Sequence, residues 1–252
     1  MSKVRITGDL SSLGIEEGNI IVSDEVKHVR PRGLFSLEEL NWTEKQKKFI
    51  ELCLDKNTRI ILCKGPAGSS KTLTGVYSAL NLLNTGRVED VIYMRSAVES
   101  SDSKLGFLPG DAEEKLFYYN LPFMDKLDEL LNCSTIKKLQ REEKIKIHPV
   151  NFARGMSWNY KAIIFDEAQN SSLKEIITVL TRIGKFSRLF VMADPMQTDL
   201  KNNKGGFEKI YDVFSDDISK EKGIHTFEFG HEDIMRSELT KYVVSRLSKI
   251  EQ

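Results

Sequence analysis

Gly65-Pro66-Ala67-Gly68-Ser69-Ser70-Lys71-Thr72 is the stretch that decides the fold of this chain. It follows the pattern G-x-x-x-x-G-K-[ST] at every fixed position but one, where Ser70 stands for the second glycine. The pattern has a mechanism. Successive backbone N–H groups turn inward and cradle phosphates, a lysine ammonium reaches the outer phosphates, and a Ser or Thr hydroxyl ligates Mg²⁺. Such a loop must leave a buried strand and open a helix. Arg59-Ile60-Ile61-Leu62-Cys63 is a short apolar run suited to a strand covered on both faces. After the loop, Leu73, Val76, Tyr77, Leu80 and Leu83 recur at helical spacing, and Thr85-Gly86 ends the helix. The helix then aims its positive end at the phosphate site. The stretch predicts a site for a nucleoside triphosphate.

Strand-like runs continue beyond it. They are Asp90–Met94, Ala162–Phe165, Arg188–Met192, Thr226–Phe229 and, more weakly, Lys146–His148. Helices are expected from Thr43, with Thr43 as cap and Gln46, Phe49 and Ile50 along it, over Ala112–Leu131, and from Asp233 onward. Strands alternating with helices imply a parallel sheet with helices on both faces. The expected fold is α/β, a P-loop NTPase core of RecA-like type over residues 41–252. Residues 1–40, punctuated by Gly8, Gly14, Gly18, Pro31 and Gly33, read as a small appendage, either with short β segments or as a partly ordered arm.

Composition narrows the function classes. The 252 residues suit one sizeable α/β domain. With 37 basic and 37 acidic residues, no global basic field announces nucleic acid, although a local patch is compatible with the balance. Cys53, Cys63 and Cys133 are far apart and make no metal or disulfide spacing, which predicts a reduced, cytoplasmic chain. No stretch approaches the roughly 20 apolar residues of a membrane helix. The N-terminus lacks the apolar run of a signal peptide. His28, His148, His225 and His231 form no cluster in sequence.

A second half-site follows the strand Ala162–Phe165. Asp166 and Glu167 are adjacent carboxylates at its end. Asp166 is the expected Mg²⁺ partner, acting through water because Mg²⁺ keeps much of its hydration. Glu167 is expected to orient and polarise the attacking water. Asp194-Pro195-Met196-Gln197 ends the next strand, and Gln197 is placed to sense the γ-phosphate.

These blocks together resemble the PhoH-like ATPases, P-loop proteins related to the superfamily 1 helicases. The resemblance rests on Gly65–Thr72, Arg95–Glu99, Lys104–Asp111, Arg154-Gly155, Asp166–Asn170, Leu180–Gly184 and Asp194–Leu200, in that order. It covers roughly residues 43–250. The pairing of Leu105-Gly106-Phe107-Leu108-Pro109-Gly110-Asp111 with Asp166-Glu167-Ala168-Gln169-Asn170 is its most specific part. Two positions depart from the family pattern. Ser70 replaces a glycine where backbone meets phosphate, and Ala193 replaces the glycine before Asp194. Binding is expected to survive Ser70, while hydrolysis is the step it puts in question.

The resemblance implies an ATPase that couples hydrolysis to work on RNA or single-stranded DNA. It implies that Gln46 reads the adenine edge, since an amide donates and accepts at once. It implies phosphate-backbone contacts from Arg95, Lys104 and Arg154, with Phe107 packing or stacking beside them. Helicase relatives close the nucleotide between two motor cores, and this chain has one. A ring or other closed homo-oligomer, a hexamer being one such form, is therefore expected, with an arginine supplied in trans. Arg182 and Arg236 are the arginines considered, and the sequence does not choose between them. The rival reading is a nucleotide-dependent switch or scaffold with little hydrolysis.

Overall fold

The computed structural model describes residues 33–95, 112–198, 205–234, 242 and 246, with the backbone alone for 112–119 and 231. The expected appendage, Lys104, Phe107, Arg236 and most of the expected C-terminal helix lie outside the described residues.

In chain order the elements are α1 (Glu44–Leu54), β1 (Ile60–Lys64), α2 (Lys71–Asn84), β2 (Asp90–Arg95), α3 (Ala112–Leu130), α4 (Cys133–Arg141), β3 (Ile145–Pro149), β4 (Lys161–Asp166), α5 (Leu173–Leu180), β5 (Arg188–Ala193), α6 (Phe207–Val213), α7 (Asp217–Glu221) and β6 (Ile224–Glu228). The six strands form one sheet in the order β3-β2-β4-β5-β1-β6. Every pairing is parallel. This is the α/β architecture with a P-loop after β1 that the sequence predicts. The last strand begins at Ile224, two residues earlier than its apolar core suggests.

The strands alternate faces with period two, and each face has its own core. Ile61, Cys63, Val91, Tyr93, Ile164, Phe190 and Met192 point to one side. There they meet Phe49 of α1, Val76 and Leu80 of α2, Phe123 and Leu127 of α3, and Ile136 of α4. Ile60, Leu62, Ile92, Met94, Ile163, Phe165 and Val191 point to the other side, against Ile176 of α5 and Phe207 of α6. Burial on both faces is why these strands read as continuous apolar runs.

α1 starts as the sequence predicts. The Thr43 hydroxyl accepts from the Gln46 amide at 3.2 Å, and the Gln46 side chain accepts from the Thr43 amide at 2.9 Å, closing a capping box. The sequence reading does not foresee α4, α5, α6 and α7. They are short, and α4 buries only Ile136 and Leu139. α5 does carry a signal: Ser172 and Glu175 form a second capping box.

Because all strands run the same way, their C-terminal ends gather at one edge. The P-loop leaves β1 there, Asp194 follows β5, and Asp166 closes β4, so the three lie side by side across neighbouring strands. Ligands in open parallel sheets bind at such an edge. Gly65 fits this tight exit: a Cβ there would stand 2.7 Å from the Phe229 Cβ and 3.0 Å from its carbonyl oxygen.

Candidate functional site

The loop from Gly65 to Ser70 is shaped by its own backbone. Gly68 takes φ 85. Ser69 is buried and donates its hydroxyl to the Pro66 carbonyl at 2.9 Å. Lys71, at the first turn of α2, donates to the carbonyls of Gly65 at 2.6 Å and Pro66 at 2.9 Å. These bonds hold the ammonium against the carbonyls of the loop, where Lys71 lines the cleft described below.

Ser70 sits at the N-cap of α2 with φ 63 and ψ 23, the left-handed region, and its side chain makes no capping bond. Left-handed backbone costs an ordinary residue about 1–2 kcal/mol, and glycine avoids the cost. The departure from the glycine pattern is therefore a real local strain. Ser70→Gly is expected to raise the thermal midpoint by about 2 °C, since part of the relief is offset by the greater chain entropy of glycine. Calorimetry checks this.

Thr72 and Asp166 meet. The Thr72 hydroxyl donates to Asp166 Oδ1 at 3.0 Å, joining α2 to the tip of β4. The other oxygen, Oδ2, accepts from the Tyr93 hydroxyl at 2.7 Å. Tyr93, on β2, is fully buried and stacked on Phe123 with ring centroids 4.6 Å apart. Burial, and then the Asp166 charge, push the Tyr93 phenol well up, so it stays a donor. Burial raises the pKa of Asp166 as well, with Glu167 adding to it; the Tyr93 and Thr72 hydrogen bonds and Arg95 pull the other way.

Glu167 follows in the left-handed region, φ 54, which turns the chain sharply at the end of the strand. Its carboxylate accepts from Gln169 Nε2 at 2.6 Å. Gln169 is 3% exposed and connects the whole edge. The same nitrogen donates to the Gln197 carbonyl at 3.2 Å, and its Oε1 accepts from the Asp194 amide at 2.9 Å. Asp194 is buried beside the loop. Burial raises its pKa, while Lys71 and the Met196 amide restrain the rise.

A cleft of about 470 Å³ opens over this edge. Gly68, Ser70, Lys71, Thr72, Asp166, Glu167, Asp194 and Gln197 line it, and Leu121, Pro122, Asp125, Lys126 and Glu129 of α3 form its far wall. The size is that of a nucleotide-scale site.

The structure thus brings together Lys71, Thr72, Asp166, Glu167 and Gln197. Tyr93, Gln169, Asp194 and the α3 wall are additions that sequence reasoning missed. Gln46 does not line the cleft; its Oε1 serves the capping box and its buried Nε2 has no hydrogen-bond partner among the described residues. Arg95 closes β2 at the same edge as the cleft. Arg154 is exposed after the 3₁₀ turn Val150–Ala153, beyond the C-terminal end of β3. Arg182 lies at the opposite end of the sheet, where its carbonyl accepts from the Trp158 amide ahead of β4. The length of β4, roughly 20 Å, separates it from this chain's own cleft.

The donor set at Thr72 and Asp166 suits Mg²⁺. It offers hard oxygens, few in number, which is how Mg²⁺ binds when it keeps several waters. Among the described residues no cluster of three or more His, Cys, Asp or Glu side chains offers a dedicated metal cage. Among them, too, no helix is long and apolar enough to cross a membrane. The cysteines are free, Cys53 and Cys63 buried and Cys133 exposed.

Known proteins resemble the chain in fold and in sequence. A solved large terminase from a thermophilic bacteriophage, in complex with ADP, superimposes with a TM-score of 0.50 at 14% identity, covering 82% of this chain and 50% of that one. At that identity the likeness is one of fold. In sequence, the PhoH-like protein of Mycobacterium tuberculosis (strain ATCC 25618 / H37Rv) is 32% identical over 233 residues, 92% of this chain and 61% of that protein. The PhoH-like protein of Bacillus subtilis (strain 168) is 32% identical over 195 residues, 77% of this chain and 60% of that protein. Protein PhoH of Escherichia coli (strain K12) is 32% identical over 187 residues, 73% of this chain and 51% of that protein. The chain spans about three-fifths of the first two and half of the third. The family pattern described as PhoH-like protein matches residues 40–248. With its phosphate loop, acidic strand tip and parallel sheet, this chain belongs to the PhoH-like protein family.

Proposed function

We propose that the chain is a Mg²⁺-dependent ATPase of the cytoplasm, assembled as a closed homo-oligomer and driving movement along RNA or single-stranded DNA. The observation that carries the hydrolytic reading is the Thr72–Asp166 hydrogen bond at 3.0 Å, with Glu167 beside it in the same cleft as Lys71.

Each residue then has a task. The amides of Ala67 to Lys71 and the Lys71 ammonium bind the phosphates. Thr72 and Asp166 hold Mg²⁺, which when bound neutralises charge on the phosphate oxygens. Glu167 accepts a hydrogen bond from the attacking water, and Gln169 fixes its carboxylate. Gln197, tied to Gln169 through its carbonyl, reports the state of the γ-phosphate. Gln46 is assigned the adenine edge; because it is buried outside the cleft, it would have to leave its present position to offer its unpartnered Nε2 to an adenine acceptor. Arg95, Lys104 and Arg154 contact nucleic-acid phosphates. Arg182 is too far from its own cleft to act there, so its catalytic use requires a neighbouring subunit, as does that of Arg236 in this scheme.

Tyr93 is a positioning residue in this scheme. Without its bond to Oδ2, Asp166 loses the partner that turns Oδ1 toward Thr72. Outer partners of metal ligands are worth on the order of 10–100-fold in metal affinity. Tyr93→Phe is expected to raise the Mg²⁺ concentration for half-maximal turnover about tenfold. At saturating Mg²⁺ the rate should be close to wild type. An unchanged Mg²⁺ requirement contradicts the role.

A second reading, a switch that holds ATP and hydrolyses it poorly, is favoured by the strain at Ser70. Phosphate release with and without a panel of RNA and DNA strands separates the two. The motor reading expects release that a strand accelerates. Mass measurement with and without ATP tests the oligomer, and a monomer under all conditions removes the trans arginine.

A further inference from the structure

At the end of the sheet away from the cleft, two loops display an aromatic pair. Tyr160 immediately precedes β4 and Phe186 lies two residues before β5. Their rings stack with centroids 5.1 Å apart and planes 21° apart. They are 42% and 57% exposed and belong to neither core. Both backbones are left-handed, φ 55 and φ 58. Bulky residues avoid that region unless the surrounding structure imposes it. Here it does: the Tyr160 amide donates to the Lys185 carbonyl at 2.8 Å, and the Gly184 amide to the Trp158 carbonyl at 2.6 Å. The fold thus holds two strained residues whose stacked rings remain about half exposed.

The neighbouring ground is basic. Arg59 donates to the Gly184 carbonyl at 3.2 Å, and Arg188 to the Ser187 carbonyl at 3.2 Å, which ties both to the Phe186 loop. Arg188 and Arg87 also donate to carbonyls at the end of α1, from Leu54 to Lys56. Capping that helix end accounts for two arginines at its carbonyls. Arg59 is held instead by the Gly184 carbonyl, and the Arg188 Nε is buried without a hydrogen-bond partner among the described residues. Arg188 is 6% exposed. Burial, then Arg87 and Arg59, lower its pKa to about 10, with Asp55 offsetting part of the effect. Among the described residues no side-chain ion pair neutralises any of the three. Exposed Lys56 and Lys185 add to the charge; the acids on this ground are exposed Asp55, close to Arg188, and Glu89, whose amide donates to the Tyr160 carbonyl.

We propose that this pole is a second site for a single-stranded nucleic acid, with a base stacked on the Tyr160–Phe186 pair and backbone phosphates over Arg59, Arg87 and Lys185. Every base has a π face, so an aromatic platform serves a strand without regard to sequence. Guanidinium groups match phosphate oxygens with paired donors, and Arg188 strengthens the field from below. The site rests on the reading that the protein acts on RNA or single-stranded DNA, and it stands apart from Arg95 and Arg154 at the cleft end.

The test uses fluorescein-labelled oligouridine and oligothymidine strands and fluorescence anisotropy with the full chain. The Tyr160→Asn, Phe186→Asn double variant removes the platform while supplying a residue that tolerates left-handed backbone, so it relieves strain rather than adding it. It is expected to bind the strands on the order of tenfold more weakly, with unchanged ATP turnover in the absence of strand. A Lys56→Glu, Lys185→Glu variant is expected to flatten the dependence of affinity on salt. If wild type binds and the aromatic variant binds equally well, the site is overturned while the nucleic-acid reading stands. If wild type binds neither strand, both fail. If the aromatic variant changes oligomer mass and leaves strand affinity intact, the pair is a protein contact and the proposal is wrong. Comparison of the two strands assigns the sugar preference.

Discussion

Glu167→Gln is expected to lower phosphate release by on the order of 10²–10⁴-fold while ATP still binds. The substitution keeps the shape of the side chain and its partner Gln169, which now holds Glu167 through a 2.6 Å hydrogen bond. It removes the negative charge that polarises the attacking water. It also removes the charge that helps push the Asp166 pKa up, so Asp166 ionises more readily and Mg²⁺ binding is not weakened. Retention of nucleotide with loss of turnover is the signature. It is read by phosphate release beside equilibrium binding of a fluorescent ATP analogue. Equal loss of both places Glu167 in binding and contradicts its assignment to the water.

Lys71→Met is expected to abolish nucleotide binding at ordinary ATP concentrations. Among the described residues, the lysine is the one formal positive charge lining the loop side of the cleft; Lys126 belongs to the α3 wall, where it pairs with Glu129. Charge-assisted hydrogen bonds contribute about 1.5–3 kcal/mol each, so losing two weakens affinity by at least about a hundredfold. Methionine keeps the length of the stem, which confines the effect to the charge. A second consequence is local. Lys71 restrains the rise in Asp194 pKa that burial causes, so without it Asp194 is driven further toward its neutral form. Titration of the analogue into the variant checks the first claim, and wild-type affinity would refute it.

Much of the fold is readable because the strands are covered on both faces. Ile60–Cys63, Val91–Met94 and Ala162–Phe165 are near-continuous apolar runs for that reason, and their order along the chain imposes a parallel sheet. The helices that escape a sequence reading are those with too few apolar residues to mark a face. α4 buries Ile136 and Leu139 and otherwise carries polar side chains. α7 is five residues long.

The site is readable where a local pattern dictates chemistry, and opaque where the chain folds back on itself. Lys71, Thr72, Asp166 and Glu167 follow from spacing alone. Tyr93 reads as a core residue of its strand, and nothing in a period-two pattern shows that its hydroxyl meets a carboxylate 73 residues away. Gln169 is visible within its motif, but its three bonds to Glu167, Asp194 and Gln197 depend on β4 and β5 lying side by side. Ser70 is recognisable as a departure from glycine. Its left-handed backbone, which turns that departure into strain, is visible only in the fold.

The most direct test of the central claim is the rate of inorganic phosphate release from ATP by the purified chain, with Mg²⁺ and with Mg²⁺ removed by chelator. Glu167→Gln serves as the blank. The account predicts release in the presence of Mg²⁺ that exceeds the blank by at least about a hundredfold and falls to the blank when Mg²⁺ is withdrawn. Wild-type release equal to that of Glu167→Gln, with or without added nucleic acid, would contradict it.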